Sequence, residues 1–269
     1  MSKKSEKIPL GCMGNKRYEL KSLLPIIESN IDEKTIFIEP FCGSCIVSYS
    51  VFKKHNNIEF HVNDIDEKRI KFYTDMRSEE EINKLYELEK KIEKEGEDTY
   101  YDIIKGNDEY ISYIISKRIS AFRYGLFPTT KNLIISKIPD KWNSFFQQSK
   151  ITCLDYKEIL EKYKNNENAF IYLDPPYLDS YNSGYGKYHG KTYDDKLNII
   201  DNTAMYIDFL ELLKCKCKVL FSINANALTR YLYKDYIKEE YNKNYSTTHI
   251  NTNTNGTRKK TNILIISNF

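Results

Sequence analysis

The sequence contains no run of roughly 18 or more apolar residues, so it offers no membrane-spanning helix. The opening MSKKSEKIPLGCMG lacks the apolar core of a secretory leader, and an intracellular, cytoplasmic location is expected. The six cysteines (Cys12, Cys42, Cys45, Cys153, Cys215 and Cys217) fit that compartment as free thiols. The pairs C-G-S-C and C-K-C lie far apart, and no histidine joins them at ligand spacing, so no metal site is expected. Strong charge of one sign is also missing. A net charge of +3 and a pI near 8.3 are compatible with nucleic acid but do not argue for it alone. No internal repeat or low-complexity tract is present.

At 269 residues the chain can bury a large α/β core, either as one domain or with a smaller insert. TIFIEP (35–40) and EFHVND (59–64) read as short buried strands that end in acidic residues, and the residues 45–54 between them suit a helix. This βαβ start implies a mostly parallel sheet with right-handed crossovers. Ser78 and Glu81 then form a capping-box pair, and Ile82, Leu85, Leu88 and Ile92 give an apolar stripe on a charged helix stopped near Gly96. A second helix is expected over 109–122. Strand character resumes at 150–156 and 168–174, so 76–149 reads as a mainly helical insert between 1–75 and 150–269. Next come a helix at 205–214, a strand at 218–223 and a helix at 227–238. A final strand pair, YSTTHINT and TNILIISN, flanks Asn255-Gly256.

Three local patterns carry chemistry. FIEPFCGSC follows the first strand and precedes a helix, the context of a nucleotide-binding turn. Only Gly43 stands where a dinucleotide fingerprint has several glycines, so an ordinary βα turn is nearly as good a reading. Asp64 ends the second strand, where a carboxylate can accept from both hydroxyls of a ribose; Asp64 or Asp66 could equally cap the following helix. LDPPY stops a buried strand with Asp174 and two prolines. Because proline fixes φ and has no N–H, the Pro175 carbonyl can be held outward as an acceptor beside Asp174. With Tyr177 as a flat ring, this corner suits an amino group on a planar heterocycle; a tight structural turn is the weaker reading.

With these motifs in place, the chain resembles the Dam-like class of DNA adenine-N6 methyltransferases, which use S-adenosylmethionine. The resemblance spans nearly the whole chain, with the motifs in that class's order. LGCMGNKRYEL matches the N-terminal glycine–lysine motif, FIEPFCGSCIVS the cofactor loop, VNDIDEKRI the ribose-binding segment, and ITCLDY the segment beside the cofactor adenine. LDPPY matches the catalytic motif, and VLFSINANALTRYLY and NGTRKKTNILIISN match the C-terminal strands. One position departs from the pattern: the family loop reads F-x-G-x-G, and Cys45 replaces its last glycine. That exchange is costly if the position needs positive φ, and cheap if the helix simply starts one residue earlier.

The resemblance implies a Rossmann-like fold with an antiparallel C-terminal strand and a recognition subdomain at 76–149. It implies that Cys12, Gly14, Lys16, Glu39, Phe41, Gly43, Asp64, Asp155 and Asp174 hold S-adenosylmethionine. Asp174, Pro175, Pro176 and Tyr177 would form the catalytic corner around a flipped-out adenine. Arg118, Arg123, Lys131, Tyr188 and Arg258 are the candidate nucleic-acid contacts. The implied partner is double-stranded DNA, with a cognate restriction endonuclease as a further partner. Methylation of RNA adenine uses identical corner chemistry, and a catalytically silent DNA-binding module is the alternative of a different class.

Overall fold

The computed structural model describes residues 8–11, 16–120, 138–176, 199–244 and 260–269. A seven-stranded sheet has the order β3-β2-β1-β4-β5-β7-β6. Its strands are β1 (Ile36–Glu39), β2 (Glu59–Asn63), β3 (Ser149–Thr152), β4 (Ala169–Leu173), β5 (Lys218–Asn224), β6 (Ile237–Asn244) and β7 (Lys260–Ser267). The mostly parallel sheet with a reversed C-terminal strand is the Rossmann-like α/β architecture expected from the motifs. Among the described residues, no helix is long and apolar enough to cross a membrane. The chain forms two compact units, Met1–Phe37 with Phe41–Tyr156, and Ile38–Pro40 with Lys157–Phe269.

In the first unit β2 and β3 pair in parallel, Phe60 opposite Ser149 and Asn63 opposite Thr152. A 3₁₀ turn (Lys16–Tyr18) leads into helix α1 (Leu20–Glu28). Helix α2 (Ile46–Phe52) is buried all round, which explains why its sequence lacks a polar face. Helix α3 (Glu67–Asp75) starts at Asp66, whose carboxylate accepts from the Arg69 N–H at 3.2 Å. The alternative reading of Asp64 as the helix cap is thereby settled, because Asp66 fills that role.

Helices α4 (Glu79–Glu95), α5 (Glu97–Ile104), α6 (Glu109–Ile115) and α7 (Asp140–Gln148) follow. Ser78 caps α4 by accepting from the Glu81 N–H, and Gly96, at φ +87°, ends it. The helix expected over 109–122 is α only to Ile115 and continues as a π turn over Ser116–Ser120. Arg77 donates to the carbonyls of Phe146 (2.9 Å) and Ser149 (2.6 Å), and Asn143 donates to that of Met76 (2.8 Å), so the two ends of this helical segment lie together. Trp142 stacks on Tyr49 at 3.6 Å and Phe146 on Tyr73 at 4.7 Å, which anchors α7 against α2 and α3.

In the second unit every residue of β4 is buried, as a central parallel strand requires. Strands β4 and β5 pair in parallel, with Leu173 opposite Phe221. Strand β7 runs antiparallel to both β5 and β6. Helices α8 (Tyr156–Tyr163), α9 (Ile199–Leu212) and α10 (Ala227–Leu232) accompany these strands. The helix expected over 227–238 is corrected, since α10 stops at Leu232 and Ile237 already belongs to β6. Strand β7 pairs with this polar strand, IKEEYNKN, on the side away from β5, and the expected strand YSTTHINT, with Asn255-Gly256, lies outside the described residues. Its glutamates and lysines suit the edge of a sheet, where charge blocks further strand addition, and they hide it from a search for apolar alternation.

Candidate functional site

The turn between β1 and α2 is built by hydrogen bonds from its neighbours. The Cys42 N–H donates to the Asn63 carbonyl at 2.8 Å and the Gly43 N–H to Asp64 Oδ2 at 3.0 Å. The Tyr73 hydroxyl donates to the Gly43 carbonyl. Gly43 has φ +47°, a conformation that costs a glycine little.

Cys45 is also left-handed, at φ +54°, and it is the N-cap of α2. The helix therefore does not begin one residue earlier to absorb the cysteine, and the position demands the positive φ that glycine supplies freely. For an L-residue this costs roughly 1–2 kcal/mol, offset in part by the fully buried thiol. Cys45→Gly is accordingly expected to leave stability within about 1 kcal/mol of the parent, whereas Cys45→Val, with a branched side chain, should lose more than about 2 kcal/mol. Urea unfolding measures both, and a well-tolerated valine would refute the strain.

Asp64, just beyond β2, is mostly buried. Its Oδ2 accepts from Gly43 N–H and from Arg69 Nη1, both at 3.0 Å, and its Oδ1 from Asp66 N–H at 3.1 Å. Arg69 also lies 3.6 Å from Asp66, which accepts from the Tyr113 hydroxyl at 2.6 Å. A carboxylate has about four acceptor positions, so among the described residues Asp64 keeps one, on Oδ1. Asp64 therefore ties the Gly43 turn to the strand end and has room for one hydroxyl; accepting two would require Arg69 to yield.

Asn63 fixes the adjoining segment. Its side chain accepts from the Leu154 N–H at 2.9 Å and donates to the Leu154 carbonyl at 3.0 Å, while Thr152 donates to Asn63 Oδ1 at 2.7 Å and contacts His61 Nε2 at 2.8 Å. This places Asp155 on the exposed segment after β3. Ile65, 65% exposed, and Leu154, 37% exposed, leave apolar surface beside Asp64 and Asp155 in the sequence. Phe41 packs its ring on Tyr156 at 5.4 Å. Lys16 is buried, 3.9 Å from Glu19 in the same turn. The motifs VNDIDEKRI and ITCLDY contain Asn63, Ile65, Arg69 and Leu154 without marking them as contacts, and Tyr73 lies outside both. Of these, Asn63 and Ile65 flank Asp64 and were there to be noticed.

In the second unit, Glu39 is buried at the end of β1. Asp174 follows β4 and is partly exposed, Pro175 is buried and Pro176 exposed. The Tyr206 hydroxyl on α9 donates to the Pro176 carbonyl at 3.2 Å. Among the described residues no hydrogen bond is directed at the Pro175 carbonyl. The corner thus sets a carboxylate next to a backbone carbonyl to which no described residue donates.

Arg118 departs from the expected nucleic-acid role. It makes a two-pronged ion pair with the buried Glu89 and donates to the Pro9 carbonyl at 2.6 Å, with its side chain only 6% exposed. Its fork is directed inward, at Glu89 and the Pro9 carbonyl. Cys12, Gly14, Arg123, Lys131, Tyr177, Tyr188 and Arg258 lie outside the described residues. No group of three or more His, Cys, Asp or Glu residues among the described ones is placed to hold a metal ion.

The chain is similar, with 9% identity and a TM-score of 0.44 over 98% of its length and 90% of the other's, to the crystal structure of a Pyrococcus horikoshii protein provisionally described as an RNA methyltransferase. The model of the D12 class N6 adenine-specific DNA methyltransferases matches residues 13–127 and 121–249. That match covers the Gly43 turn, Asp64, Asp155 and the D-P-P-Y corner, and it selects adenine in DNA over RNA and an enzyme over a silent binding module. The chain belongs to the D12 class of N6 adenine-specific DNA methyltransferases.

Proposed function

We propose that the first unit holds S-adenosylmethionine at the Gly43 turn and the β2 and β3 ends, and that Asp174 and the Pro175 carbonyl receive the adenine amine. The observation that carries this reading is the pairing of unlike acceptors at the corner, a carboxylate next to a backbone carbonyl to which no described group donates. For the cofactor, the donor set fits: Asp64 keeps an acceptor position for a hydroxyl, and exposed Ile65 and Leu154 suit the faces of a base. When bound, the cofactor supplies an electrophilic methyl carbon and leaves as a neutral thioether. Lys16, Phe41, Asp155, and Cys12 with Gly14, complete its proposed contacts in the first unit, and Glu39 is the contact proposed from the second.

The residues of this chain do the rest. An adenine within a duplex cannot reach a closed corner, so the nucleotide flips out at a cost of a few kcal/mol. Its exocyclic nitrogen is a poor nucleophile because the lone pair is delocalised into the ring. Hydrogen bonds from both amine hydrogens, to Asp174 and to the Pro175 carbonyl, favour a more tetrahedral nitrogen whose lone pair points away from the acceptors. Orienting that lone pair supplies much of the acceleration, and the methylated nitrogen then releases its extra proton to solvent. Tyr177 is proposed to stack on the base, a contact worth roughly 1–3 kcal/mol in single-strand binding proteins.

Recognition of the target sequence is proposed for 76–149, with Arg123 and Lys131 on phosphates or guanine edges, and Tyr188 and Arg258 on the backbone of double-stranded DNA. Such phosphate contacts make binding weaken with salt. A cognate endonuclease is the partner proposed for a restriction–modification setting, where treated DNA would resist cleavage.

Asp64→Ala tests the cofactor half. It removes the anchor of Gly43 as well as the proposed ligand acceptor, so affinity for S-adenosylmethionine should fall about 10- to 100-fold, the range for hydrogen bonds to a charged group. Titration calorimetry reads this directly, and an unchanged affinity removes Asp64 from the site.

A further inference from the structure

We propose that Tyr206 is a positioning residue for methyl transfer: its hydroxyl captures the Pro176 carbonyl and thereby fixes which backbone oxygen of the corner faces the amine. The proposal rests on the reading that the D-P-P-Y corner receives the adenine N6 group. Two successive prolines put two carbonyls side by side and contribute no N–H of their own, so the sheet cannot pin the corner through proline donors. The orientation of the corner therefore depends on donors brought from elsewhere. Tyr206 supplies one to Pro176 at 3.2 Å, whereas nothing among the described residues donates to Pro175. Among the described residues the two oxygens are thus sorted, one with a donor and one without.

The hydroxyl is itself held in place. Tyr206 is fully buried on α9, and its backbone carbonyl accepts from the Tyr233 hydroxyl at 2.7 Å. Tyr233 is also fully buried, and burial pushes its phenol well above the usual tyrosine range, which keeps it a donor. Its ring meets Phe221 edge-on at 4.9 Å, and Phe221 lies opposite Leu173, the residue before Asp174. The contacts therefore close a circuit, from β4 to β5, through Tyr233 to Tyr206, and back to Pro176. A turn gripped from both its strand and its far carbonyl has little freedom to rotate its remaining acceptor.

The test compares wild type, Tyr206→Phe and Asp174→Ala in single-turnover methyl transfer to DNA, alongside calorimetry with S-adenosylmethionine and thermal unfolding. Tyr206→Phe keeps the ring and loses one hydrogen bond. Its rate should fall about tenfold while cofactor affinity stays within about twofold. A purely structural hydroxyl would lower the melting temperature without this split. A Tyr206→Phe rate within about twofold of wild type, with Asp174→Ala inactive, would overturn the role of Tyr206 and leave the corner reading intact. An active Asp174→Ala enzyme would overturn both. Should Tyr206→Phe fail to fold, Tyr233→Phe removes the donor that holds the Tyr206 carbonyl and should lower the rate severalfold with cofactor affinity unchanged; a rate matching wild type would refute the proposal.

Discussion

Replacing Asp174 with alanine should lower the rate of methyl transfer about a thousandfold or more while the protein stays folded. Asp174 is partly exposed and follows a strand, β4, whose own residues are all buried, so its loss takes little from the core. The expected scale is that of deleting one preorganised group aimed at a reacting centre, about 10²–10³ in rate, increased here because the group is charged. Asp174→Asn keeps an acceptor oxygen in the same place but removes the charge, so it should fall between alanine and wild type. Binding of the methyl donor should be largely spared in both variants. Equal loss in asparagine and alanine would show that the charge, and not acceptance alone, is indispensable. Retained activity in alanine would remove the residue from the mechanism.

The second large effect concerns stability. Glu89→Ala leaves the Arg118 guanidinium buried opposite an empty space, and breaking a buried pair in this way costs about 3–5 kcal/mol. Glu89 is 1% exposed and Arg118 6% on their side chains, so solvent screens the pair little. Urea unfolding should show the loss as a lower midpoint. Replacing both partners with methionine should recover most of it, because the desolvation cost disappears together with the attraction. A loss below about 1.5 kcal/mol would contradict a structural pair. A folded Arg118→Ala protein whose DNA affinity lost about one unit of salt slope would return Arg118 to the phosphate contacts.

This ion pair shows where reading the sequence stops. A charge is visible in a sequence but its partner is not, and Glu89 lies 29 residues away on another helix. Local features were legible because their causes are local. The acids closing β1, β2 and β4 follow apolar runs, Asp66 precedes a helix it can cap, and Gly96 sits where a charged helix stops. Strand β6 escaped because an edge strand needs no apolar alternation, and its first two residues read as the end of the helix expected over 227–238. The missing glycine at Cys45 raises the question of a left-handed backbone, but the sign of φ is set by the folded turn and not by the residue. Tyr206 lies 30 residues beyond Pro176 in an ordinary apolar helix, and nothing in its neighbourhood marks its hydroxyl.

The central claim is that the corner at Asp174 places a methyl group on the N6 amine of adenine in DNA. The most direct measurement incubates wild-type and Asp174→Ala proteins with unmethylated double-stranded DNA and S-adenosylmethionine carrying a labelled methyl group. The digested nucleosides are then separated. Label in N6-methyladenine with wild type, and none with Asp174→Ala, is the predicted result. Label in a different base, or equal N6-methyladenine from both proteins, would contradict it.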